Sequence, residues 1–315
     1  MFRNRALALG LTLLLVLGLL VTGCTSKTAP APSGNSGAPQ AKTYTFGVSL
    51  SGLNHPFFVD VKTGLEAKAK ELGVNVIVTD AQDNTSKQIS DIEDLITKKV
   101  DVIILNPTDS AAVVPAVEKA NAANIPVVTV DRAANGGKVA THIASDNVEA
   151  GKMAADFIIK ALNGKGKVVE LQGIAGSSAA RDRGKGFNDQ IKTAAGIQIV
   201  AQQPADFARA KGLSVMENIL QAHPDIDAVF GHNDEMVLGA IEAMKSKLKD
   251  KKVVVVGVDA IDDAVKAIND GTMAATVGQK PKLMGEMAVE SALKIVKGEK
   301  VDAFIPVPLD LITKK

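Results

Sequence analysis

Polar side chains recur in this chain at one kind of place, the end of an apolar run. The clearest case is IPVVTVDR (125–132), where Val127, Val128 and Val130 surround Thr129 and the run stops at Asp131 and Arg132. A short, unbroken, β-branched run reads as a strand buried on both faces. An acid and a base at its end are either a cap with a solvated cation or the start of a binding site. The pattern returns in VNVIVTD at Asp80, VDVIILNP at Asn106, DAVFGHND at Asn233 and KVVVVGVDA at Asp259. In open α/β sheets ligands sit outside the carboxyl ends of the strands. Repetition therefore favours a site built on strand ends over a series of unrelated caps.

The residue types indicate what such a site would hold. Asp131, Arg132, Arg183, Asn233, Asp259 and Gln279 offer carboxylates, guanidinium forks and amides. That set suits hydroxyl groups, which both donate and accept hydrogen bonds. Arg181 and Arg183 are two apart and diverge on a helix, so one faces a cleft and Arg181 reads as solvated. After the first strand, SGLNHPFF (51–58) combines Ser51, His55 and a helix-starting Pro56 with Phe57 and Phe58. In PADF (204–207), Phe207 stands at another helix start. Core packing is the common fate of Phe. The chain has no Trp and one Tyr, however, and aromatic faces suit the apolar C–H face of a sugar ring. The glycine-rich GIAGSSAARDRGKG (173–186) lacks both the GK[ST] of a phosphate loop and the GxGxxG spacing of a dinucleotide turn. No nucleophile elbow and no metal-spaced His/Cys cluster is present, and His142 and His223 read as structural. A base-and-orienter pair of His55 and Asp131 would still lack a reactive centre, so an α/β enzyme is a remote alternative. No cofactor is expected.

The elements that must carry these residues alternate. Runs at 44–49, 74–79, 102–105 and 127–130 read as strands, separated by helical periodicity at 57–72, 86–98 and 111–123. A short run at 139–143 precedes a helix capped at Asp146 or Asn147. The alternation then restarts, with strands at 167–171, 198–202, 228–230, 253–258 and 274–277. Helices lie between them, another covers 282–296, and a last extended piece spans 304–312. The expected fold class is α/β, two similar Rossmann-like lobes with parallel sheets flanked by helices. The chain crosses between lobes near residues 145–146 and 279–281, and a cleft between the lobes is the natural ligand site.

Composition agrees, with 46% hydrophobic and 23% charged residues over 315 positions, enough for two cores. Arg3 and Arg5 are the only charges before position 24, so the rest of the chain carries −1 where the whole carries +1. That leaves no basic footprint for nucleic acid. Residues 1–23 read as a signal peptide: a basic start, an apolar stretch at 6–20, then Val21-Thr22-Gly23 before Cys24. Small residues before a cysteine resemble a lipobox, and Cys24 is the only cysteine in the chain. Residues 24–41, rich in Ser, Ala, Pro and Gly, read as a flexible tether. The expectation is export and attachment to the cell membrane by lipidated Cys24, with the folded part starting near Lys42.

From Thr45 onward the chain resembles the type I periplasmic sugar-binding proteins, most closely the ribose-binding members that serve ABC transporters. The resemblance rests on NPTDS (106–110), NIPVVTVDR (124–132), HIASDN (142–147) and ELQGIAGSSAARDRGKGF (170–187). It continues in QPADF (203–207), KGLSVMENIL (211–220), NDEM (233–236) and Gln279. It implies two lobes, 42–145 plus 280–308 and 146–279 plus 309–315, joined by a three-strand hinge and closing on one sugar. Phe57 and Phe58 would wall one side of the sugar and Phe207 the other. Asp131, Arg132, Arg183, Asn233, Asp259 and Gln279 would bond its hydroxyls, with Ser51 nearby. His55 stands where the family usually has Asn, and His232 where it usually has Gln. Protonation of His55 near an ordinary pKa of about 6.5 would leave it a donor only, which predicts pH-dependent binding. The implied partners are D-ribose, an ABC permease with its ATPase and a chemoreceptor, and the implied state is monomeric. D-allose, galactose, xylose or a furanosyl signalling molecule are alternative ligands. LacI-like regulators share the two-lobe domain, but they need a helix-turn-helix where this chain has its leader and tether.

Overall fold

The computed structural model describes residues 42–248 and 251–314. The expected signal peptide, Cys24 and the tether lie outside the described residues. Two six-stranded sheets are built from the same wiring. The first comprises β1 (Thr45–Leu50), β2 (Asn75–Asp80), β3 (Val102–Leu105), β4 (Val127–Val130), β5 (Val139–Ala144) and β11 (Phe304–Pro306), in the order β11-β5-β4-β3-β1-β2. The second comprises β6 (Lys165–Gln172), β7 (Gly196–Pro204), β8 (Ala228–Gly231), β9 (Val254–Asp259), β10 (Ala275–Gly278) and β12 (Asp310–Thr313), in the order β12-β10-β9-β8-β6-β7. All pairings are parallel except β10 with β12, which is antiparallel. Each sheet reverses its winding beside its first strand, between β1 and β3 in one and between β6 and β8 in the other. That is where doubly wound sheets leave a crevice for a ligand.

The helices follow from apolar stripes and local caps. Helix α1 (Pro56–Leu72) begins with Pro56 and ends at Gly73, whose φ of 68° makes a left-handed C-cap. Helix α2 (Thr85–Thr97) is capped by Asn84 and α4 (Asn147–Ala161) by Asp146, each side chain accepting the amide three residues on. Helix α3 (Val114–Ala122) starts later than its periodicity predicts. Asp109 Oδ1 accepts the amides of Ala111 and Ala112, and this turn precedes the helix. Helices α5 (Ser178–Ile191), α6 (Arg209–Ala222), α7 (Asp234–Lys247), α8 (Asp262–Asp270) and α9 (Pro281–Val296) complete the set. The single extended piece expected at the end is two strands, β11 and β12, one in each sheet. Helix α9 returns to the first sheet and packs on α1.

Both faces of each sheet are covered, so β3, β4, β8 and β10 are buried at every position. This matches their unbroken apolar runs. One contact matters directly for the site. A Cβ at Gly151 in α4 would lie 2.0 Å from the Arg183 carbonyl oxygen, and one at Gly186 in α5 would lie 1.9 Å from that of Val148. Paired glycines let α4 and α5 touch backbone to backbone, and that contact sets the depth at which Arg183 enters the cleft. Among the described residues no helix is long and apolar enough to cross a membrane.

Candidate ligand-binding cleft

The carboxyl ends of the two sheets face each other across a narrow cavity. From the first sheet it is lined by His55, Phe57, Phe58, Asp131 and Arg132, and from the second by Ala179, Arg183, Phe207, Asn233 and Asp259. Gln279 joins through its amide, which donates to Asp259 Oδ1 at 2.8 Å. Ser51 is fully buried at the end of β1, where its backbone N–H donates to Asn106 Oδ1 at 3.3 Å. The structure thus brings His55, Phe57, Phe58, Asp131, Arg132, Arg183, Phe207, Asn233 and Asp259 to one cleft, with Gln279 bonded to Asp259 and Ser51 linked to Asp131 only through Asn106. Arg181 is exposed, as read.

Arg132 has an unusual seat. Its guanidinium carbon lies 5.0 Å from the centre of the Phe58 ring and 5.1 Å from that of Phe207, so a cation stands between aromatic rings contributed from opposite sides. Phe57 and Phe58 meet edge to face at 5.3 Å. Phe58 and Phe207 therefore wall the guanidinium, a detail their positions in the chain do not reveal. Burial pulls the pKa of Arg132 below its ordinary value, opposed by the nearby carboxylates of Asp131 and Asp83. Asp131 Oδ2 lies 3.8 Å from Arg132 Nε.

The second half is organised around Arg183. Its Nε donates to Asn147 Oδ1 at 2.8 Å, and its Nη1 donates to the His232 carbonyl at 2.6 Å. The same Nη1 approaches Asp259 Oδ1 at 3.7 Å. Burial lifts Asp259 to about 6, while Arg183 and the Gln279 amide act in the opposite direction. Asn233 uses its oxygen to cap α7 through Met236 N–H and its amide to hold the Phe207 carbonyl at 3.2 Å. Asp131, Phe207 and Asp259 all have positive φ, at 60°, 60° and 126°. Strained backbone of this kind clusters at ligand sites.

Several buried polar atoms at the cleft have no partner among the described residues: Asp131 Oδ1, Arg132 Nε, Ser51 Oγ and Gln279 Oε1. Buried polar groups normally find partners, and leaving one unsatisfied costs about 1–3 kcal/mol. A ligand bearing several hydroxyls supplies both donors and acceptors to such a set.

Three supporting residues stand outside the ligand-contacting set expected from the sequence. Asn106 donates to the Val130 carbonyl at 3.0 Å and to Asp131 Oδ2 at 3.3 Å. It ends β3 as Asp131 ends β4, so the strand-end pattern already pointed at it. Asn147 orients Arg183 and was legible only as a helix-start residue. Asp83 carried no signal; its Oδ2 lies 3.0 Å from His55 Nε2. Burial raises the Asp83 pKa, but His55 and Arg132 outweigh it and hold the carboxyl below its ordinary value. His142, expected to be structural, meets Thr129 Oγ1 at 2.9 Å and packs near Phe304.

The lobes also touch directly at the rim. Ser110 N–H, in the turn after β3, donates to the Gly176 carbonyl at 3.0 Å, and Ala133 N–H, after β4, donates to Ser178 Oγ at 2.8 Å.

Residues 46–300 match the sequence profile of the periplasmic binding protein domain. The chain is 50% identical over 309 residues to the ribose import binding protein RbsB of Bacillus subtilis (strain 168), covering 96% of this chain and 98% of that protein. It is 50% identical over 271 residues to RbsB of Escherichia coli (strain K12), covering 86% and 91%. The crystal structure of a Caulobacter myo-inositol binding protein bound to myo-inositol superposes with a TM-score of 0.83 at 35% identity, covering 87% of this chain and 95% of that one. These relatives are binding proteins rather than enzymes.

Proposed function

Because this chain belongs to the periplasmic binding protein family, we propose that it is an extracytoplasmic solute-binding protein that captures D-ribose in its interlobe cleft and delivers it to an ABC importer. The observation that carries this reading is the lining of the cavity. Carboxylates, guanidinium groups and amides converge from both sheets, with unpaired polar atoms beside aromatic rings. Such a lining fits a small polyol. The half identity to ribose import binding proteins favours ribose, whereas the myo-inositol-binding neighbour is a reminder that related clefts hold other cyclic polyols.

The working cycle is a hinge closure. The lobes are 42–145 plus 280–308 and 146–279 plus 309–315, and the crossings between them form the hinge. Sugar touches both lobes only when they are closed, so it binds that state preferentially and shifts the population toward it. The unpaired atoms gain partners at the same moment. His55 and His232 are the departures from the usual family pattern that bear on which hydroxyls are read. Cys24, as a lipidated N-terminus, would hold the protein at the cell membrane near its permease.

Titration calorimetry of the purified protein against D-ribose, D-allose, D-galactose, D-xylose, D-glucose and myo-inositol tests this. Tight one-to-one binding of D-ribose with weak binding of the others is expected. Preference for another sugar would refute the ribose assignment, and binding of none by folded, ligand-free protein would refute the sugar reading. Mass spectrometry of the membrane-extracted protein would reveal diacylation at Cys24, and an unmodified cysteine would exclude the anchor.

A further inference from the structure

Behind the cleft lies a buried histidine–carboxylate hydrogen bond, neither partner of which lines the cavity. Glu170, inside β6, is fully buried, and its Oε1 lies 2.7 Å from His232 Nε2. The carboxylate is also bonded by the side-chain amides of Asn188 from α5 and Gln202 from β7. On the other edge of the ring, His232 Nδ1 accepts the Gly173 backbone N–H at 3.2 Å. These partners fix one tautomer. Nδ1 must be bare to accept, so Nε2 carries the proton and donates it to Glu170.

Three residues of the cleft adjoin His232 through its backbone or its ring. Its own carbonyl is the acceptor for Arg183 Nη1 at 2.6 Å. Asn233 is the next residue along the chain. Gly173, pinned by Nδ1, lies against the Phe207 ring, where a Cβ would come within 2.1 Å of ring carbon. There is little slack, because a Cβ at Gly184 would lie 3.1 Å from the imidazole Cε1.

We infer that His232, braced by Glu170, is the positioning residue of this half of the site, setting Arg183, Asn233 and Phe207 together without touching ligand. The inference deepens the sugar-binding reading and rests on it. A glutamine can also accept from Gly173 and donate to Glu170 through one amide, whereas leucine fills the space and can do neither. The distinction between histidine and glutamine is the second proton. A proton on Nδ1 would face the Gly173 N–H, donor against donor, and release that residue. The charged groups facing the ring are Glu170 from β6, which favours the second proton, and Arg183 from α5, which opposes it. Asn188, Gln202 and the Phe230 ring complete the surroundings. Burial outweighs Glu170 and holds the pKa of His232 below 6.5.

The test is sugar affinity and melting temperature of wild type, His232→Leu and His232→Gln between pH 5 and 8. His232→Leu is expected to lose at least tenfold in affinity at temperatures where it remains folded, and His232→Gln to stay within about threefold of wild type at pH 7.5. Where acid protonates His232, wild-type affinity should fall more steeply than that of His232→Gln, a difference in which the shared titration of Asp259 cancels. Wild-type affinity in folded His232→Leu, or a loss in His232→Gln at pH 7.5 as large as that in His232→Leu, would overturn the inference. If His232→Leu fails to fold, the ring tautomer read by imidazole nitrogen NMR decides the matter, Nε2–H supporting the inference and a freely exchanging ring refuting it. If wild type binds no sugar, the sugar reading falls. Imidazole nitrogen NMR shifts then judge the positioning role: an Nε2–H tautomer with Arg183 Nε–H and Gly173 amide shifts that move in His232→Gln supports it, and a freely exchanging ring refutes it.

Discussion

Replacing Gly176 with alanine separates closure from sugar contact, because Gly176 lies at the rim and does not line the cavity. Its φ is 91°, so alanine is strained there by about 1–2 kcal/mol in open and closed states alike. A second penalty exists only when the lobes are closed. The added Cβ would lie 2.2 Å from Asp109 Oδ2 and 2.9 Å from its Cγ, across the lobe boundary. Asp109 is short and cannot swing away freely, since its Oδ1 accepts two amides that start the turn before α3. Moving it loses those bonds at about 0.5–1.5 kcal/mol each, and the Ser110–Gly176 bond is endangered as well. The closed state is therefore disfavoured by about 1–3 kcal/mol, which lowers affinity by roughly 5–150-fold. The strain common to both states lowers the melting temperature without touching affinity. The assay is a double-mutant cycle by calorimetry with Gly176→Ala, Asp109→Ala and the pair. Asp109→Ala should restore most of the affinity lost by Gly176→Ala. Undiminished affinity in folded Gly176→Ala, or additive losses in the pair, would refute this account of closure.

Further outcomes follow from the charges. Arg183→Ala leaves Asn147 Oδ1 and the His232 carbonyl unpaired and Asp259 without its nearby cation. Affinity should fall by at least 1–3 kcal/mol, about 5–150-fold, in the same calorimetric assay. Asp259 has a carboxyl raised from 3.8 to about 6 in the folded protein, so it binds its proton more tightly folded than unfolded. Its contribution to stability is complete below pH 3.8 and is lost as pH rises through about 6. Melting curves of ligand-free Asp259→Asn should therefore show a smaller decline across that window than wild type, and parallel curves would contradict the assignment. Asp83 has the opposite sign: its carboxyl is lowered, so its contribution is present above 3.8 and lost as pH falls. His55→Asn weakens that support and should move the acid-unfolding midpoint upward, and an unchanged midpoint would show that the His55–Asp83 contact contributes nothing.

Much of this protein was determined by local sequence. Unbroken β-branched runs are buried on both faces because helices cover both sides of a parallel sheet, and their alternation with amphipathic segments specifies the wiring. Residues at the ends of such runs, Asp131, Asn233 and Asp259, had to gather at one edge, because parallel strands all end on the same side. Helix starts at Phe57, Phe58 and Phe207 follow for the same reason. Contacts between residues far apart in the chain were decided only by the tertiary structure. Nothing in the spacing of Phe58, Arg132 and Phe207 places a guanidinium between two rings, since the two sheets that supply them are brought together by a hinge. His55 gained Asp83 from a turn with no pattern of its own, and Glu170, an acid in a strand that reads as apolar, found its partner in His232, 62 residues away. The last residues divide between two sheets for a similar reason: β11 and β12 complete edges already laid down, and an edge strand goes where unpaired backbone groups await it.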